Sequence, residues 1–288
     1  MRSRGFTLAE LIVSLCLMGI VAAAVGSVFV GGLRFYTRQM DRAQINANLR
    51  VSMAMLTREI RLLDARDSTG GDLIEMGATF ITYRAVRSTY FLCAPPDPAR
   101  QEVIVWGSAP VIALRDIEPG RDSALLFATG GQAANAGDKW LPAAVTWVAT
   151  GAACPGGAPS LTIGLSGVDQ AELGGVGRGA PLRGYQATMI LLYRDGEGQS
   201  WVGVREWSAG SGWSVTQPIA GPVSENGLRF DYFGPGARVA TVPSDVARIG
   251  VTIVGVGNGW LRPARGTASP IRDSVVFQVA LKNNQWAR

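Results

Sequence analysis

Two hydropathy patterns divide this chain. From Leu11 to Leu33, 23 residues run without a charge, and only Ser14 and Ser27 carry a hydroxyl. At about 1.5 Å per residue a helix of that length is about 35 Å long, enough to cross a bilayer core of about 30 Å. From Arg34 to Arg66 neither Gly nor Pro occurs, and helix formers such as Ala, Leu, Met, Arg and Gln are frequent. Ile45, Leu49, Leu56, Ile60 and Leu63 are spaced by 4, 7, 4 and 3 residues, which puts them on one helical face. The pattern predicts one long helix from about Thr7 to Asp64, with Gly26 and the Gly31-Gly32 pair as weak points. Its first half is apolar on all sides. Its second half turns an apolar stripe onto a sheet; a coiled-coil partner is the alternative, with few heptads to support it.

Beyond Asp67 the period changes. Asp67 to Asp72 is a loop by composition, and short β-type runs follow, separated by Gly, Pro, Asp and Asn. The expected strands are Thr79–Val86, Thr89–Cys93, Glu102–Trp106, Val111–Ile117, Ala124–Ala128, Val145–Val148, Ser160–Ile163, Tyr185–Tyr193, Trp201–Trp207, Gly227–Phe233, Arg248–Val256 and Ser274–Leu281. Tyr193 to Trp201 reads as a hairpin turn. Pro95–Gln101, with three prolines, and Gly164–Gly184, with seven glycines, read as long loops. No internal repeat or convincing domain boundary appears. A long helix followed by antiparallel strands predicts an α+β fold, the helix packed on an antiparallel β-sheet domain.

Glu10 is out of keeping with the apolar run. A carboxylate beside Phe6, Leu8 and Ala9 at the edge of a membrane helix is costly in lipid and calls for a function. A secretory signal peptide accounts for Arg2, Arg4 and the apolar run, with Ala22-Ala23-Ala24 as a cleavage site, yet the run continues to Leu33. An ordinary membrane anchor explains the run but neither Gly5-Phe6 nor Glu10. A core helix of a soluble domain is seldom apolar on all sides for so long.

The segment Gly5-Phe6-Thr7-Leu8-Ala9-Glu10-Leu11-Ile12-Val13 resembles the class III signal of type IV prepilins and type II secretion pseudopilins. The resemblance implies cleavage by a membrane prepilin peptidase between Gly5 and Phe6, N-methylation of Phe6, and an assembly role for Phe6 and Glu10. It implies a leader at 1–5, a transmembrane or filament-core helix half at 6–33, a second helix half on the sheet at 34–66, and a β-rich extracytoplasmic domain at 67–288. It also implies a single-pass inner-membrane protein with its C-terminal domain outside the cytoplasm, and partners among other minor pilins or pseudopilins and an inner-membrane assembly platform. Looser stretches are similar to the minor pilin W and pseudopilin J branch. These are Thr82 to Arg87 followed by Cys93, Glu225 to Phe233, Val246 to Val251, and Val279 to Asn284.

Composition adjusts this picture little. The net charge is +5, or +3 once Arg2 and Arg4 are removed with the leader, and no long basic run argues for nucleic acid. Arginines flank both ends of the span, so the positive-inside rule does not set its orientation. Without a single His, His-based triads and His metal sites are excluded. Of three Cys, Cys16 lies in the span as a small packing residue, while Cys93 and Cys154 stand 61 positions apart. In an extracytoplasmic domain a disulfide between them is the natural reading, worth about 4 kcal/mol in the chain-entropy picture; two buried thiols are the alternative.

Nothing reads as a catalytic constellation, and neither a cofactor nor a metal is expected. Asp195, Glu197, Asp231, Asp245 and Asp273 lack ligand spacing and read as turn or solvated residues. Gly164 to Val168 departs from G-x-S-x-G at Val168, and Gly174 to Gly179 lacks a Walker lysine. The expected function is a non-enzymatic subunit that initiates or caps a type IV pilus or type II secretion pseudopilus. The alternative is a tip module contacting DNA, a surface or a secreted substrate. For that role Trp140, Trp147, Trp201, Trp207, Trp213, Trp260 and Trp286, with Arg262 and Arg265, are the available contacts, although core packing is the expectation for most of the Trp.

Overall fold

The structure, a computed structural model, describes residues 8–65, 71–107, 110–129, 137–151, 154–261 and 269–282, the last four residues of the 154–261 segment by backbone alone. In chain order the elements are α1 (Leu8–Arg61), β1 (Leu73–Met76), β2 (Phe80–Phe91), β3 (Glu102–Trp106), β4 (Ile112–Ala113), β5 (Ser123–Ala128), β6 (Lys139–Thr150), β7 (Ser160–Ser166), α2 (Gln170–Gly174), β8 (Pro181–Arg194), β9 (Ser200–Ser208), β10 (Gly212–Trp213), β11 (Gln217–Phe233), β12 (Arg248–Leu261) and β13 (Ser269–Ala280). The fold is a long apolar N-terminal helix packed against a large antiparallel β-sheet, a pilin-like α+β arrangement. The chain forms two compact units: Met1–Ala47 with Val256–Asp273, and Asn48–Gly255 with Ser274–Arg288.

The helix runs unbroken for 54 residues, about 80 Å at the usual rise. Gly26, Gly31 and Gly32 do not interrupt it. In the first unit Ile45 is buried against the bare backbone of Gly257, where an added Cβ would stand 2.9 Å from Ile45 Cδ1. In the second unit Leu49, Leu56, Ile60 and Leu63 are buried, and Leu56 and Ile60 expose nothing. The stripe read from spacing is therefore the packed face. Each fully buried side chain contributes about 1.5–3 kcal/mol.

Strand β8 is the hub of the sheet. One edge pairs with β2 from Phe80↔Leu191 to Phe91↔Pro181. Its other edge divides: Thr188–Arg194 pairs with β9, and Leu182–Tyr185 pairs with β5. From β9 the sheet continues through β11 and β12 to β13; from β5 it continues through β6 and β7 to β3. Leu92 just past β2 then bridges to Val105 in β3, and the Cys93 amide donates to the Ile104 carbonyl at 2.9 Å. That closes β2, β8, β5, β6, β7 and β3 into a ring. Its interior is filled by side chains including Tyr90, Leu92, Val105, Leu126, Leu141, Ile163 and Leu182, with Leu173 of α2 added to the same cluster. Closure covers the end of the β2 edge and part of the β3 edge. The Cys93–Cys154 disulfide is formed and ties the end of β2 to the β6–β7 connection.

Several expectations need correction. The two runs Thr79–Val86 and Thr89–Cys93 form one strand, because the interruption is a bulge between Val86 and Ser88 rather than a turn. Val111–Ile117 contributes only Ile112–Ala113 as strand, and the chain then turns to lodge Arg115 on Asp122. The expected loop Gly164–Gly184 is largely structured. It holds the end of β7, α2 capped by Asp169, and the start of β8. Strands β6 and β11 extend beyond the expected runs, and β1 lies where no strand is expected.

The hairpin at Tyr193–Trp201 forms as expected. The Asp195 carboxylate accepts from the Glu197 and Gln199 amides at 3.0 and 2.9 Å and from Trp201 Nε1 at 2.8 Å. The tryptophans depart from core packing: Trp140, Trp201 and Trp207 are half-buried, and Trp147 and Trp213 are exposed. Arg183 and Arg205 lie over the Trp140 and Trp213 rings.

Candidate functional site

The site indicated by the sequence is the start of α1. Gly5 and Phe6 lie outside the described residues, as do Arg262, Arg265 and Trp286 and the side chain of Trp260. Glu10 falls in the first turn of α1 and is exposed. A carboxylate there complements the positive end of the helix dipole, worth about 0.3–1 kcal/mol at an exposed site. The rest of the span is exposed and apolar within the chain: Leu15, Leu17, Met18, Ile20, Val25 and Phe29 each show 58–70% of their surface. Ser14 and Ser27 donate to the carbonyls of Leu11 and Ala24 at 3.0 and 2.8 Å, so both hydroxyls are satisfied inside the helix. That suits a helix in lipid, where an unsatisfied polar group costs several kcal/mol. By length and composition α1 is able to cross a membrane.

The last turns of α1 are fixed to the sheet by polar bonds that the sequence reading missed. Tyr83 of β2 donates to Glu59 at 3.2 Å. Arg87 lies 4.0 Å from Glu59 and 2.8 Å from Glu206, and Arg121 reaches Glu206 at 3.0 Å. Beyond the helix, the Asp64 amide donates to the Asp72 carboxylate at 2.8 Å, and the Arg84 amide donates to the Asp72 carbonyl at 2.7 Å. Burial pushes the Asp72 carboxyl up to about 6, against the opposing Asp64 amide bond and the Arg183 and Arg84 charges. Gly71 precedes it with φ +69°, and an added Cβ would stand 2.6 Å from the Ala65 carbonyl oxygen, so glycine is required at this turn. The one legible signal was the Gly70-Gly71-Asp72 loop composition, which marks a turn but not a clasp.

The carboxylates considered for chemistry are dispersed. Asp195 organises its hairpin, Asp231 pairs with Arg229 at 2.7 Å, and Asp245 ends a short 3-10 turn. Among the described residues no cluster of three His, Cys, Asp or Glu is placed to hold a metal. Ser166 ends β7 and is followed by a turn and the short helix α2, but Val168 stands where G-x-S-x-G needs its last glycine; Gly174 and Gly175 end α2 rather than open a helix, so they lack the phosphate-loop context.

Residues 1–26 match the family model described as the prokaryotic N-terminal methylation motif. No curated protein and no solved structure gives a significant match to the chain. Such a class III signal implies processing by prepilin peptidase, and the apolar helix that follows fits an inner-membrane-anchored prepilin. Proteins of this kind are generally non-enzymatic structural subunits. The chain carries the N-terminal methylation motif of type IV pilin-like proteins on a pilin-like α+β fold.

Proposed function

We propose that the protein is a minor pilin or pseudopilin that helps initiate or cap assembly of a type IV pilus or a type II secretion pseudopilus. The observation that carries this reading is the methylation motif at residues 1–26, which from Leu8 on coincides with a helix whose first half is exposed and apolar. In this reading prepilin peptidase cuts between Gly5 and Phe6, and Phe6 is N-methylated. The leader is 1–5, the membrane or filament-core half of the helix 6–33, its second half 34–66, and the extracytoplasmic domain 67–288.

Mature Phe6 presents a positive α-amino group near the membrane surface. Moving a carboxylate among apolar helices costs several kcal/mol unless an opposite charge meets it. Glu10 supplies the carboxylate, and the Phe6 amine of a neighbouring subunit meets it, so the pair sets the axial register between helices. In this reading the sheet domain sits at the end of the filament and caps it. Its looser stretches resemble the minor pilin W and pseudopilin J branch.

Glu10→Ala tests the reading. The variant is expected to be cleaved and membrane-inserted like wild type, but to lose crosslinking to, and co-purification with, other pilin-like subunits from native membranes. Assembly equal to wild type would contradict the register role.

A further inference from the structure

Strand β2 has a gap along one edge. Its pairing with β1 ends at Tyr83, and its pairing with β4 begins at Ser88. Antiparallel strands direct the amide and carbonyl of alternate residues to the same edge. The Arg84 amide bonds the Asp72 carbonyl, which fixes Arg84 as facing away from β8, and Val86, two residues on, faces the same way. The Arg87 carbonyl is then taken by the Leu114 amide at 2.8 Å. Among the described residues nothing bonds the Arg84 carbonyl or the Val86 amide, which the edge presents between these two bonds.

A cleft of about 520 Å³ lies over this gap. Every residue from Tyr83 to Thr89 lines it. Successive side chains of a strand point to opposite faces, so a cavity in one face cannot touch them all; this one wraps the open edge. The walls are apolar at Leu62, Ile112 and Leu114, which are 61%, 72% and 57% exposed. The volume falls in the range of about 300–1,000 Å³ usual for ligand sites.

Its charge is unbalanced. Five cationic side chains line it against three carboxylates. Glu59 is held by Tyr83, and Asp72 by the Asp64 amide. Arg84 is held by the Gly71 carbonyl, and Arg183 is stacked on Trp140. Arg58 and Lys282 are exposed and have no ion pair among the described residues.

We propose that this cleft docks a short acidic peptide segment of a partner protein, taken up in extended form against the open edge of β2. The backbone groups at Arg84 and Val86 match an extended peptide, as in β-strand addition. Cations on both faces of the strand match acidic side chains projecting alternately to either side, and the apolar rim covers the residues between them. A simple anion would satisfy the charges and leave the strand edge unused. This inference is independent of processing and of helix-mediated assembly.

The test uses the full chain in detergent and a fluorescein-labelled hexapeptide of alternating glutamate and valine, read by anisotropy. Saturable binding that weakens with salt is expected, and the corresponding lysine–valine hexapeptide is not expected to bind. The double variant Arg58→Glu, Lys282→Glu alters exposed side chains only and should weaken binding at least tenfold. Val86→Pro removes an amide that faces away from β8 and should weaken it similarly. Absence of binding, equal binding by the lysine peptide, or binding unchanged in the charge-reversed variant would overturn the proposal. So would complete displacement by glutarate at equal concentration, which would mark a small-anion site.

Discussion

The Tyr83 hydroxyl, on a side chain only 1% exposed, donates to the Glu59 carboxylate at 3.2 Å and so joins β2 to the last turns of α1. Burial raises the Tyr83 phenol, and the adjacent Glu59 charge raises it further, so the hydroxyl stays protonated and stays a donor. Tyr83→Phe should lower stability by about 1–2 kcal/mol, since Glu59 retains partial access to water. Glu59→Ala should cost at least as much, because it leaves a buried hydroxyl without its acceptor. Urea unfolding of both single variants and the double variant should give a coupling energy well above zero; additivity would show that the bond contributes nothing.

Asp72 gives the joint a pH dependence. Its carboxyl titrates near 3.8 when solvated and near 6 in the fold. The folded chain therefore binds this proton more tightly than the unfolded chain. Its contribution is greatest below about pH 4, declines as pH rises towards about 6, and is constant above that. The change is on the order of 2–3 kcal/mol. Asp72→Asn keeps an oxygen to accept from the Asp64 amide and removes the titration. The stability of wild type relative to this variant should fall between about pH 4 and pH 6, and a difference that stays constant across that window would contradict the assignment.

The Cys93–Cys154 bridge spans 61 positions and holds β2 to the opposite arm of the ring. Replacing both with Ser should cost about 4 kcal/mol, mainly by freeing the unfolded chain. Calorimetry of oxidised, reduced and double-Ser protein should show the last two melting together, well below the first. If all three melt alike, closure rests on strand pairing alone.

The helix and its buried stripe were legible because a 3.6-residue period survives over many turns, and Leu49, Leu56 and Ile60 are buried as their spacing requires. The existence of most strands was legible from β-branched runs. Their joints were not. The bulge at Val86 and Ser88 follows from the register with β8, a long-range pairing that β2 itself does not encode. Residues Pro181–Gly184 look like loop from composition but become strand because β2 and β5 flank them. Likewise Glu59, Tyr83, Arg87 and Glu206 are far apart in sequence, and no local pattern announces that they meet. The N-terminal motif is the opposite case: a peptidase reads it as linear sequence, so its residues stand side by side in the chain.

Removing the negative charge at Glu10 separates anchoring from assembly. Glu10→Gln, which keeps size and polarity, should insert normally and show the assembly defect of Glu10→Ala. If the Gln variant assembles fully while the Ala variant does not, hydrogen bonding rather than charge sets the register.

The central claim is that the mature chain begins at Phe6 with a methylated amine. Intact mass of the protein recovered from its native membrane tests it directly. The expected mass reflects loss of residues 1–5, a gain of one methyl group, and two hydrogens fewer than the reduced chain. A mass that retains Met1 to Gly5, or one that shows the chain shortened beyond Ala24, would contradict it.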